Sequence, residues 1–136
     1  MTQEEKDILL KDLCARLPYG VAVKFKVNEV IENNEKFIYN IDGEYSYITN
    51  GKSYLTLDII KSLFNNHLDE IKPYLFPLSS MTEEQRREQE AYFICIKHDM
   101  SFSICRYMEW CYKNHLDING LIPKGLAIDA TGLNIY

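Results

Sequence analysis

Apolar residues recur at spacings of three and four near the start of the chain: Leu9, Leu13 and Leu17, with Leu10 and Cys14 beside them. That period lines up one greasy stripe on an α-helix, so a helix is expected with this stripe against the core. Thr2 and Glu5 mark its start as a capping box, in which each side chain satisfies a backbone N–H that the first turn leaves unpaired. Pro18-Tyr19-Gly20 marks its end. The period then changes to two. From Val21 to Val27 apolar residues alternate with Ala22, Lys24 and Lys26, the signature of a half-buried strand.

Between Lys36 and Leu57, Asp42-Gly43 and Asn50-Gly51 punctuate β-rich runs, and both dipeptides suit two-residue type I′ turns because they tolerate positive φ. A three-stranded meander is expected, with Tyr39 opposite Ser46 and Tyr47 between Ile38 and Tyr54. In that register Phe37, Tyr39, Ile41, Ile48, Leu55 and Leu57 face the core. The opposite face carries Tyr45, Tyr47 and Tyr54 among polar residues.

Thr56 or Asp58 can cap a short helix through Ile59, Ile60, Leu63 and Phe64, and Pro73 and Pro77 then predict an extended connection. Thr82 and Gln85 form a second capping box ahead of a polar helix that turns apolar at Ala91, Tyr92, Phe93, Ile94 and Ile96. The mixed charges of its first turns predict a solvated face. Ser101 or Ser103 starts a last helix with Ile104, Met108, Cys111 and His115 on one edge, and Leu126-Ala127-Ile128 reads as a short closing strand.

Together these elements predict an α+β fold in one domain, residues 1–136. An antiparallel sheet of about four strands, 21–27 plus a meander within 36–57, packs against an amino-terminal helix and carboxy-terminal helices. The 136 residues suffice for one core, and 46% hydrophobic with 26% charged residues is an ordinary globular composition. A formal net charge of −5 opposes bulk attraction to nucleic acid or anionic lipid. No apolar run reaches the length of a bilayer span, and the acidic Met1–Glu5 start is unlike a signal peptide, so a cytoplasmic location is expected. With no export signal, Cys14, Cys95, Cys105 and Cys111 are read as free thiols.

Three stretches carry a family resemblance: Leu9-Leu10-Lys11-Asp12-Leu13-Cys14-Ala15-Arg16-Leu17-Pro18-Tyr19-Gly20-Val21, Lys72-Pro73-Tyr74-Leu75-Phe76-Pro77-Leu78-Ser79-Ser80-Met81-Thr82-Glu83-Glu84 and Gly120-Leu121-Ile122-Pro123-Lys124-Gly125-Leu126-Ala127. Together they resemble an uncharacterised family of small proteins from gut anaerobes and their phages. The resemblance implies a setting of mobile elements and no activity. In that family's pattern the last helix ends in Trp-Leu, then one or two His, an aromatic residue and Asp. Trp110, His115 and Asp117 are similar to it, and Cys111 departs from it.

The same three residues also suit structural work, as a packed indole, an imidazole at a helix end and a turn carboxylate. Cys95 with His98, and Cys111 with His115, have helical spacings and ligand types that suit tetrahedral zinc. Against that stand the missing CxxC knuckle and the burial preference of thiols, so core cysteines and surface histidines are expected. No phosphate loop, dinucleotide fingerprint or nucleophile elbow is present, and no cofactor is implied. The expected function is therefore a non-enzymatic binding or accessory protein with a protein partner, met through Tyr45, Tyr47, Tyr54, Trp110, His115 and Asp117. A zinc or thiol enzyme using Cys95, His98, Cys111 and His115 is one alternative, and an acidic phage-type inhibitor of a host protein is another.

Overall fold

The structure is a computed structural model that describes residues 2–27, 31–32, 35–39, 45–47, 52–64, 68–98 and 102–136. It is α+β. The first helix, α1 (Gln3–Arg16), starts as expected: Thr2 Oγ1 accepts the Glu5 N–H at 3.1 Å, and the Glu5 carboxylate accepts the Thr2 N–H at 2.8 Å. A single 3-10 turn, Leu17–Tyr19, follows, and Gly20 at φ 71° turns the chain into β1 (Ala22–Val27). Leu9 and Leu13 are fully buried, whereas Cys14 on the edge of the same stripe is exposed.

After β1 come β2 (Ile31–Glu32), β3 (Glu35–Tyr39), β4 (Tyr45–Tyr47), β5 (Lys52–Tyr54) and α2 (Leu57–Phe64), whose first turn is held by Thr56 Oγ1 accepting the Ile59 N–H. β6 (Leu68–Leu75), α3 (Glu83–Lys97), α4 (Phe102–Lys113) and β7 (Ile128–Asp129) complete the order. The strands form two sheets, one in the order β5-β1-β6-β7 and one in the order β2-β3-β4. The first is mixed, because β7 runs parallel to β6 while the other pairs are antiparallel. A parallel neighbour needs a crossover, and here α3 and α4 supply it.

Three expectations about the sheet are corrected. The run at 52–54 pairs with β1, Ala22 opposite Tyr54, and does not extend a meander. The β3–β4 ladder places Tyr39 opposite Tyr45 and Phe37 opposite Tyr47, one residue away from the register of a two-residue turn. Directly opposed positions share a face of an antiparallel ladder, so positions 37 and 39 lie on the same side as 45 and 47, and the expected division into apolar and phenolic faces fails. The Asp42-Gly43 and Asn50-Gly51 turns lie outside the described residues, as do the side chains of Tyr45, Tyr47 and Tyr54.

The third correction concerns Pro73, which sits inside β6 opposite Val23 instead of in a connection. Its missing N–H does no harm there. Val21 C=O accepts the Leu55 N–H at 2.8 Å, so Val21 and, two residues on, Val23 point their polar groups toward β5. Pro73 is therefore a non-hydrogen-bonded partner of β1, with its nitrogen turned to the other side of β6, just ahead of the residues that pair with β7.

The core lies between this sheet and the helices. Leu9 and Leu13 of α1, Ile59 and Ile60 of α2, and Val21, Val23, Ile71 and Leu75 of the strands pack with Leu121, Leu126 and Ala127. A second cluster, Trp110, Cys111 and Leu116 with Phe76, Met81, Tyr92 and Tyr107, joins α3 and α4 to the end of β6. The two alanine substitutions in the α1 stripe should therefore differ: Leu13→Ala is expected to lower stability by about 2–5 kcal/mol. Cys14→Ala should shift the denaturant midpoint by less than about 0.5 kcal/mol equivalent.

Candidate functional site

The chemistry-bearing side chains gather where α1, α4 and the end of β6 meet. α4 ends in a Schellman motif: the Leu116 N–H donates to Cys111 C=O at 2.9 Å and the His115 N–H to Tyr112 C=O at 3.0 Å. His115 takes the left-handed position, φ 58°, that glycine usually fills. The chain then runs beside Phe76, whose N–H donates to His115 C=O at 2.8 Å and whose C=O accepts the Asp117 N–H at 2.9 Å. Asp117 is buried, and its carboxylate accepts the N–H groups of Leu121 and Ile122 at 2.8 and 2.9 Å. It is a turn-holding carboxylate.

Beneath this segment lies an ion pair with no exposed side-chain surface. Arg16 Nε donates to Asp12 Oδ2 at 2.6 Å, and Nη2 donates both to Asp12 Oδ1 at 3.1 Å and to Leu116 C=O at 2.7 Å. Asn119 Nδ2 adds a bond to Asp12 Oδ1 at 2.8 Å, and the guanidinium lies 5.0 Å over the Tyr112 ring. Arg16 Nη1 is buried with no hydrogen-bond partner among the described residues.

His115 stacks on Tyr136, with centroids 3.7 Å apart and planes 7° from parallel. Its Nδ1 is likewise buried and without a hydrogen-bond partner among the described residues. Burial, aided by the nearby Arg16 charge, pushes the imidazole from 6.5 down to about 4. The folded state thus holds it neutral. The associated stability is fully present above pH 6.5 and is lost as the pH falls from there through about 4.

Trp110 faces the other way. Its Nε1 donates to Glu88 at 2.6 Å, while Tyr92 and Tyr107 pack on the indole at centroid distances of 5.8 and 6.0 Å. Gln89 Nε2 donates to the Tyr107 hydroxyl at 3.0 Å, which together with the Gln85–Asn114 bond fixes α3 and α4 as an antiparallel hairpin. On its surface is an open groove of about 330 Å³ lined by Tyr19, Tyr92, Arg106, Glu109, Trp110 and Lys113.

The structure does not unite the residues singled out in the sequence. Trp110 lines the groove, His115 turns toward Arg16 and Tyr136, and Asp117 holds a loop. Of the candidate zinc ligands, Cys95 is half-buried, His98 exposed and Cys111 buried, and no three His, Cys, Asp or Glu among the described residues gather to hold a metal. Burial pushes the Cys111 thiol up, away from the thiolate a nucleophile needs. What sequence reasoning missed is the Asp12–Arg16 pair. Its signal was present, since positions 9, 12, 13 and 16 fall on one helical face. No protein-family model, curated protein or solved structure matches this chain.

Breaking the pair from one side leaves a buried charge. Arg16→Met is expected to destabilise by about 3–5 kcal/mol, and Asp12→Leu combined with Arg16→Met to recover most of that loss in a double-mutant cycle followed by urea unfolding.

Proposed function

We propose that this chain is a non-enzymatic binding protein that seats a segment of a protein partner in the groove around Trp110. The observation that carries the reading is the state of the α3–α4 hairpin. None of the 15 residues of α3 is fully buried, and Phe93, Ile94, Ile104 and Met108 of the same hairpin remain 39–59% exposed. A helix owes most of its stability to packing of an apolar face, so surface left open here favours a partner that covers it. Trp and Tyr supply large contact area at low entropic loss, and Arg106, Glu109 and Lys113 give the groove a polar rim, the usual anatomy of a binding hot spot.

Chemistry is disfavoured by the same residues. An imidazole that titrates near 4 is a weak base at neutral pH, and Cys111 is held as a thiol. The proposal includes a cytoplasmic location and a mobile-element setting, the latter resting on the family resemblance. The tyrosine-rich β3–β4 ladder belongs to it as a second contact surface, supported by the residue types alone.

The chain contains one tryptophan, so the groove carries its own reporter. Tagged protein should retain a partner from its native cells, and the purified partner should shift Trp110 emission. Tyr92→Ala and Lys113→Glu, checked for intact folding by circular dichroism, should each weaken retention tenfold or more. Identical retention by both variants, with emission unmoved, would overturn the groove as the binding site.

A further inference from the structure

Tyr136 occupies an unusual place in the sheet. The β1–β6 register pairs Val23 with Pro73 and Lys24 with Lys72, so Ala22 would next face Tyr74, and both have their polar groups turned toward each other. The direct bond between them is replaced. The Ala22 N–H donates to the Tyr136 hydroxyl at 3.0 Å, and that hydroxyl donates to Tyr74 C=O at 2.7 Å. One phenol thus closes the end of the central ladder, and its ring lies flat against His115 and tilted against Phe76, 5.8 Å away.

We propose that Tyr136 is a latch on the β1–β6 ladder, which neutral His115 holds closed and which acid opens by protonating that imidazole. The geometry ties the two events together. Nδ1 of His115 is buried with no hydrogen-bond partner among the described residues, so a proton gained there meets no acceptor while the tyrosine covers the ring. The charged group acting on it is Arg16 of α1, which repels a second cation, and the Asp12 carboxylate is bound to Arg16 and Asn119. From α4, Tyr112 lies against the guanidinium and Cys111 is a neutral thiol. The residue after β6 is the uncharged Phe76, and the Asp117 carboxylate is turned to the Leu121 and Ile122 amides. An imidazolium therefore gains solvent and loses repulsion by lifting the ring of Tyr136 away.

The backbone contributes to the bias. His115 holds the left-handed conformation at φ 58°, which a non-glycine residue adopts at some energetic expense, and stacking on Tyr136 is an interaction that glycine there would lack. Weakening the stack removes a compensation for that strain.

Amide hydrogen exchange of the full chain, corrected for intrinsic rates, tests the latch at Ala22, whose N–H depends on the Tyr136 hydroxyl. If lifting the ring restores the imidazole from about 4 to 6.5, opening at Ala22 should increase about 20-fold between pH 7 and pH 5. At both pH values Ala22 should open more readily than the Leu13 amide of α1, which exchanges through larger unfolding. His115→Asn, which tolerates the left-handed position and does not titrate, should abolish the pH dependence. Tyr136→Phe should expose Ala22 at pH 7 while leaving the ring stack in place. A flat Ala22 response in the wild type, Ala22 protection equal to that of Leu13, or the same response in His115→Asn would each overturn the latch. The first two outcomes are read from the unmodified chain and decide the matter even where a variant fails to fold.

Discussion

The buried pair Asp12–Arg16 sets the arrangement of everything around it. Removing two charges from water is expensive, and it succeeds only where the geometry is close and the remaining donors and acceptors find partners. Here the guanidinium fork meets both carboxylate oxygens, Nη2 reaches Leu116 C=O, and Asn119 takes a further site on the carboxylate, while Nη1 is left without a hydrogen-bond partner among the described residues. These bonds join α1 to the segment just after α4, a hundred residues away in sequence. The chain after α4 is thereby held in register with Phe76, so the base of the hairpin, the loop that Asp117 organises and the position of His115 follow from one interaction between two residues of the first helix.

The parts of this fold that were legible in the sequence are those decided by residues close in the chain. Both capping boxes form, Thr2 with Glu5 and Thr82 with Gln85, because each needs only a hydroxyl and a carboxylate or amide three residues apart. The α1 stripe was read correctly at Leu9 and Leu13. Strand partners were not legible. Nothing local in residues 52–54 selects β1 over β4, and nothing in Ile128–Asp129 announces a parallel neighbour, since those choices are made by packing between distant segments. Pro73 misled for a related reason: a proline opposes strand formation only where its nitrogen faces a partner, which depends on the register.

The candidate site was legible as residue types and illegible as a constellation. Trp110, His115 and Asp117 lie within eight positions, yet the end of α4 sends each in a different direction. Helix geometry carries Trp110 toward α3, the left-handed turn at His115 rotates its ring onto Tyr136, and the extended step to Asp117 aims a carboxylate into the next turn. Asp12 and Arg16 shared the apolar face of α1 with Leu9 and Leu13. An acid four residues ahead of a base also describes an ordinary surface pair, and only burial separates the two cases.

The proposed reading, recognition in place of reaction, draws on how His115 is set. Catalysis by an imidazole needs a group that orients one ring nitrogen and leaves the other poised near neutral pH. His115 has the reverse setting, with an Nδ1 that has no hydrogen-bond partner among the described residues, a nearby cation and a stacked phenol, all of which select the neutral ring as a packing surface. The aromatic groove stands on a hairpin whose inner contacts are bonds such as Trp110 to Glu88 and Gln89 to Tyr107, with much apolar surface left outside. Those polar ties and the packing of Tyr92 and Tyr107 on the indole hold the two helices in register, and under the proposed reading a groove fixed in this way loses less entropy on filling than one that must first be assembled.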